Sequence, residues 1–349
     1  MLSAFNALQS QVKSGAAITA QPWFENQIGA AIGAPCAAAF GSSCTAFLAD
    51  NLANLIQIGD TSDTVQALYA NGLLNPNVGM SSQFSTNAYI TNLGSSSYNG
   101  LLVSLRKRFS RGLEFDLNYT FSHSIDNQSS VVNTVFGGLV CDITNLRTCR
   151  GNSDFDIRHL VNANWIYELP FGRGHWLGKS APGWLNSVIG GWNVTGIYAY
   201  RSGLPFSTTT GAFPVGFVFN SPGVLLPGAG SALQQNIHDS GTSATSTIQF
   251  FKDSAAALAA VDYPSHGSIG NRNTLRSSGF WNVDTAVLKS FNLRQEGGPK
   301  LVFRWEMYNA FNHNSFGLPD ANIGSATFGQ ITTSSSAPRE MQFALRLQF

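Results

Sequence analysis

The sequence predicts an all-β fold: an antiparallel transmembrane β-barrel, represented by about seven strands from the C-terminal part of a larger barrel, with long extracellular loops. Three observations predict it. Only 11% of the 349 residues are charged, while 43% are hydrophobic and 12% aromatic; a soluble domain carries about 25% charged residues. Apolar and polar residues alternate with period two over stretches of about 10 to 13 residues, which suits a tilted bilayer crossing better than an ordinary strand. The connections alternate between short and long, as periplasmic turns and outer loops do. Other classes are excluded on the same grounds. Disordered chains are less hydrophobic and more charged, and no run of 18 apolar residues supplies a membrane helix. A net charge of +1 gives no electrostatic basis for a nucleic-acid partner.

Residues 1–90 read as an extracellular, loop-like region rich in Ala, Asn and Gly, with some helix around Asp63 to Tyr69. Residues 91–349 hold the strands. The first, 98–109, places Leu101, Val103 and Leu105 on one face and turns through Ser110, Arg111 and Gly112. The second, 113–124, sets Phe115, Leu117, Tyr119 and Phe121 against Asp116, Asn118, Thr120 and Ser122. A long loop, 125–155, precedes strand 157–168, with Val161, Ala163, Trp165 and Tyr167 on its apolar face. Pro170 to Gly174 and a short segment containing Trp184 lead to strand 191–202, then a Ser-, Gly- and Pro-rich stretch runs over 203–279. Strand 280–291 returns through Gln295-Glu296-Gly297-Gly298 to strand 300–311, and the last strand, 339–349, reaches the terminal Phe349. Tyr and Trp near the strand ends fit an interfacial girdle. The rival architecture, a soluble sandwich, would bury the apolar faces against a second sheet. Seven strands is an odd number and would leave two open edges in lipid, so the sequence predicts an incomplete barrel, either the C-terminal part of a larger one or a sheet that needs strands from elsewhere.

The N-terminus lacks the basic start and apolar core of a secretory signal, which leaves an internal protein or a signal lying upstream. Four cysteines form two local pairs, Cys36 with Cys44 and Cys141 with Cys149. Without CxxC spacing or a histidine pair, zinc is a poor fit; short disulfides in an oxidising compartment fit better, with buried thiols as the alternative.

No constellation points to catalysis. Ser122, His123 and Ser124 near Asp126 carry nucleophile and base chemistry, but neighbours in a strand face opposite ways and nothing supplies an oxyanion site. The six histidines are scattered, so no metal or cofactor is expected. Asn152, Asp154 and Asp156 have calcium-loop alternation without its distant acidic ligand, and read instead as a polar lead-in to the next strand. The basic cluster Arg106, Lys107, Arg108 and Arg111 sits at a short turn and reads as a contact for outer-membrane lipid headgroups. Lys107 and Lys289 fall on the apolar face, where a lysine can snorkel. Arg201, Arg304, Glu306 and Arg346 fall on the polar face; they line a solute path or form a salt-bridged network in the wall.

Several segments resemble, in order, parts of Oar-like TonB-dependent outer-membrane transporters. These are SSSYNGLLVSLRKRFSRGLEFDLNYTFSHSIDN (95–127), RGNSDFDIRHLVNANWIYELPFGRG (150–174), GGWNVTGIYAYRSGLPFS (190–207), GNRNTLRSSGFWNVDTAVLKSFNL (270–293), FRWEMYNAFNHNSFGLPDANIGSATFGQIT (303–332) and the terminal REMQFALRLQF. The resemblance spans about residues 80–349. It implies a barrel of about 22 strands, preceded by a signal peptide, a carboxypeptidase-regulatory-like domain and a plug that contacts the TonB complex. None of these preceding parts is visible in the sequence. The resemblance also marks Phe343, Leu345, Leu347 and Phe349 as the signal read by the barrel assembly machinery. The function it implies is import or binding of an unidentified solute; a structural or adhesive barrel without energised transport is the alternative.

Overall fold

The computed structural model describes residues 1–79, 92–129, 145–213, 221–241, 246–266, 270, 272–293 and 298–349. Its main element is a sheet of seven long strands: β1 (Ser96–Ser110), β2 (Leu113–Asp126), β3 (His159–Glu168), β4 (Trp192–Arg201), β5 (Phe280–Asn292), β6 (Lys300–Tyr308) and β7 (Glu340–Gln348). They follow one another across the sheet in chain order, each antiparallel to the next, with the short segment Gly151–Asn152 added beside β2. All seven strands expected from periodicity are present, with ends shifted by up to three residues.

The register carries the alternation across the whole sheet. Leu105 stands opposite Leu117, Leu117 opposite Ala163, Ala163 opposite Tyr198, and Tyr198 opposite Val283. Further on, Val287 faces Trp305, and Trp305 faces Phe343. Because side chains alternate with period two, a slip of one residue in any pair would break this surface. The surface is exposed where nothing in the chain covers it: Phe343 is 68% and Leu345 66% accessible. Aromatic pairs knit it together, with the Trp305 and Phe343 rings stacked at 5.6 Å. Gly196 lies opposite and under the Trp165 ring, so a Cβ there would collide with the indole.

Two residues close the β1–β2 hairpin, Arg111 (φ 53°) and Gly112 (φ 78°). Positive φ at both positions gives the turn whose twist matches antiparallel strands. Lys107 is occupied at this turn, its Nζ donating to the carbonyls of Ser110 and Leu113 at 2.7 Å each, so it fastens the hairpin rather than snorkelling. The expected Gln295–Gly298 turn lies, except for Gly298, outside the described residues.

The first 70 residues correct the expectation of a mainly loop-like region. They form six helices: α1 (Leu2–Ser14), α2 (Pro22–Ile32), α3 (Cys36–Phe40), α4 (Cys44–Asn51), α5 (Ala53–Gln57) and α6 (Thr61–Ala70). Only α6 coincides with the helix read from sequence. Phe5, Leu8, Phe24, Ile28, Leu48 and Leu68 fill a separate core. Local capping defines the ends: Gly15 closes α1 in the left-handed region, Pro22 opens α2, and Ser43 Oγ accepts the Ala46 N–H of α4. Glu25 accepts the Cys44 and Thr45 N–H groups at 3.0 Å each, placing a carboxylate at the positive end of α4.

Cys36 and Cys44 form the expected disulfide across the α3–α4 turn, with Cα atoms 5.2 Å apart. Cys149 is buried, and its expected partner, Cys141, lies outside the described residues. Closing so short a loop limits the unfolded chain by about 2–3 kcal/mol. The Cys36→Ser/Cys44→Ser double variant is therefore expected to lower the stability of the helical cluster by that amount, leaving the strands intact. Thermal melts followed separately by helical and sheet circular dichroism check this.

The long connections pack together at one end of the sheet. The three-stranded set Gln235–Asp239, Ile248–Phe251 and Gln330–Ile331 joins the β4–β5 loop to the β6–β7 loop. Phe206, Phe250, Phe251, Leu275 and Phe328 form their shared core. The helical cluster docks on the same assembly. Lys13 pairs with Asp262 at 3.0 Å, Gln9 Nε2 donates to Pro264 O at 3.1 Å, and Asn6 Nδ2 donates to His266 O at 2.8 Å.

Candidate functional site

The face opposite the apolar surface carries Asp116, Asn118, Asn162, Asn164, Asn193, Thr195, Asn282, Asp284, Arg304 and Glu306, brought side by side by the register. Arg106 and Asp116 pair across β1 and β2 at 2.7 Å, and Ser104 Oγ donates to Asn118 Oδ1 at 2.7 Å. A sheet with one greasy face and one hydrogen-bonding face is built to separate lipid from an aqueous interior.

The four residues singled out from sequence as lumen-lining separate in the structure. Arg304 pairs with Glu306, and Gln342 of the neighbouring strand donates to the same carboxylate. Arg201 lies at the long-loop end of β4, its guanidinium 5.5 Å from the centre of the Phe280 ring. Arg346 is exposed near the other end of β7, opposite Val302. Thus Arg304 and Glu306 form a local network, while Arg201 and Arg346 stand apart from it.

Where the long loops meet the strands there is a denser charged cluster. Arg272, buried in the β4–β5 loop, reaches Asp126 at the end of β2 with 2.5 Å between Nη2 and Oδ1. The same guanidinium donates to the Asp126 and Cys149 carbonyls at 3.1 and 3.3 Å and pairs with Asp154 at 3.3 Å. Asn273 Nδ2 adds a 2.6 Å bond to Asp154, and Asn152 Nδ2 donates to Asn273 O at 2.8 Å. Asp156 is held by Arg276, by Arg158 at 3.0 Å and by the Ser124 N–H at 2.6 Å. The run Asn152, Asp154, Asp156 thus supplies acceptors that fasten the β2–β3 loop to the β4–β5 loop. Its alternation was legible, but Arg272 and Arg276, which it binds besides the neighbouring Arg158, lie about 120 positions away. Arg272, Asn273 and Arg276 stand in no pattern of their own and were missed.

Ser122 and Ser124 belong to this junction too. Ser122 Oγ donates to Ile157 O at 2.7 Å and Ser124 Oγ bonds Ser153 Oγ at 2.8 Å. His123, between them, bonds Asn152 Oδ1 at 3.0 Å. Glu25, Cys36 and Cys44 bring ligand atoms together, but both sulfurs are in the disulfide.

Burial works against ionisation of Asp156, yet the Ser124 N–H, Arg276 and Arg158 together outweigh it and hold the carboxyl below its ordinary 3.8. A depressed carboxyl contributes stability that is present above its unfolded pKa and lost as pH falls through the folded value. Asp156→Asn is therefore expected to destabilise the loop assembly by about 2 kcal/mol at pH 7. Its deficit relative to the parent should close as the pH falls below that of ordinary carboxyl titration. Melting curves of both proteins in detergent across that range measure this.

No curated protein matches the chain. The family model described as an outer membrane beta barrel domain matches residues 40–342, which takes in strands β1 to β6 and the first residues of β7 and leaves out helices α1 and α2 and all of α3 but Phe40. With its lipid-facing and polar faces in register and most of its length matched, the chain belongs to the outer membrane beta barrel domain family and is a protein of the outer membrane.

Proposed function

We propose that the chain is the wall and outer-loop assembly of a TonB-dependent transporter of the Oar-like kind, which takes up a solute through a plugged lumen. The observation that carries this reading is the folded loop assembly. The β4–β5 and β6–β7 connections share one apolar core, the helical cluster has its own and docks on them, and the β2–β3 connection is held to them through Arg272 and Arg276, at one end of a sheet with one polar face. A barrel that only anchors in the membrane needs neither feature. In this reading the long-loop end is extracellular and captures the solute, and the TonB complex acts through a plug. Arg304 and Glu306 belong to the lumen wall, and Phe343, Leu345, Leu347 and Phe349 are read by the assembly machinery. No covalent chemistry and no cofactor are assigned to it.

An antibody against the last ten residues tests the proposal in outer membranes treated with a crosslinker. The expected result is a polypeptide far larger than 37.4 kDa that crosslinks to TonB. A 37.4 kDa polypeptide that never crosslinks to TonB would overturn it and favour the structural or adhesive barrel.

A further inference from the structure

Lys289 is on the apolar, lipid-facing side of β5, in register with Trp192 and Phe303, yet it is only 2% exposed. Its cover is the β3–β4 connection. Lys289 Nζ donates to Val188 O and Gly190 O at 2.7 Å each and lies 4.9 and 5.0 Å from the Trp192 and Phe291 ring centres. The carbonyls belong to the C-terminal end of the short helix Gly183–Ile189, where the backbone presents partial negative charge. Lys289 therefore does not snorkel; it clamps this connection against the outside of the sheet near the short-turn end. The connection is itself ordered. Arg173 N–H donates to Asn186 Oδ1 at 2.6 Å, its guanidinium reaches Ala181 O at 3.1 Å, and Gly172 N–H donates to Leu177 O at 2.7 Å.

What this clamped unit shows outward is unusual for a turn. Trp176 is 84% and Trp184 72% exposed, with Leu177 and Val188 also open. Between Pro170 and Gly191 the sequence holds Arg173, His175 and Lys179 and no acidic residue. Exposed indoles beside basic groups, continuous with a lipid-facing sheet, have the chemistry of an interfacial membrane anchor. We propose that residues 170–190 form a lipid-binding foot that seats Trp176 and Trp184 at the headgroup level of the leaflet on the short-turn side and prefers anionic phospholipid. The foot concerns only the lipid side of the sheet, so it stands whether or not the lumen transports a solute.

The test uses the full chain in phosphatidylcholine vesicles with and without phosphatidylglycerol. Emission from the pair is obtained by difference from Trp176→Phe, Trp184→Phe and the double variant. Folding of each is checked by its heat-dependent gel mobility, and either single variant suffices if the double one does not fold. The expected result is quenching of the pair by lipid brominated close to the headgroup and shielding from aqueous iodide. The lipid quenching should fall about twofold when phosphatidylglycerol is omitted. Free access of iodide to both indoles would overturn the proposal and leave the surface to a soluble partner. Protection from both quenchers would overturn it as well, since it would mean contact between copies of the chain. Equal lipid quenching with and without phosphatidylglycerol would overturn the preference for anionic headgroups.

Discussion

Leu117→Arg is expected to destabilise the assembled sheet in a bilayer by about 2–4 kcal/mol, the cost of a cation facing lipid near the midplane. Leu117 lies halfway along the stretch where β2 pairs with β3, flanked by Leu105 and Ala163 on the apolar surface. Asn164→Arg, close in depth but on the opposite face, puts the new guanidinium beside Asp116 and is expected to change stability by less than about 0.5 kcal/mol. The contrast between the pair carries the meaning, because both introduce the same side chain with the same charge. Unfolding titrations in lipid vesicles measure it. Equal penalties would show that the two faces share one environment and would contradict a lipid face opposite an aqueous one.

The second large effect is expected at the loop junction. Removing the guanidinium with Arg272→Ala leaves Asp126 buried without its cation, which costs about 3–5 kcal/mol. Asp126 is 1% exposed and cannot recover hydration without opening the junction. The damage should stay local. The β2–β3 and β4–β5 loops are expected to become sensitive to protease, while the strands keep their heat-dependent mobility. Replacing the ion pair by Arg272→Met with Asp126→Leu is expected to restore part of the loss, since two apolar side chains leave no buried charge behind. Limited proteolysis in detergent, followed by mass mapping of the cuts, separates loop loosening from loss of the barrel wall.

The strands were legible because period-two alternation is a local signal sustained over many residues. Phe115, Leu117, Tyr119 and Phe121 declare a face without reference to any partner strand. The helices of the first 70 residues were not. Their apolar spacing exists, as in Phe5 and Leu8, Phe24 and Ile28, or Val65 and Leu68, but the helices are short and much of the rest is alanine, which marks no face. Their stability comes from packing against each other. The charged junction was half legible. Asp154 and Asp156 stood out by spacing, whereas Arg272 and Arg276 gain meaning only when the fold brings two loops together. Lys289 shows the same limit: its face was read correctly, but the helix end that covers it arrives from a different connection.

The central claim is that one face of the sheet meets lipid and the other meets water. Spin labels placed one at a time along β1 and β2 test it most directly. The sites are Val103, Leu105, Leu117 and Tyr119 on one face and Ser104, Arg106, Asp116 and Asn118 on the other, in a chain whose Cys141 and Cys149 are replaced by serine. The account predicts that oxygen dissolved in the bilayer relaxes the first set and a water-soluble nickel chelate relaxes the second, alternating residue by residue. Nickel access to both sets alike, or oxygen access on the polar face, would contradict it.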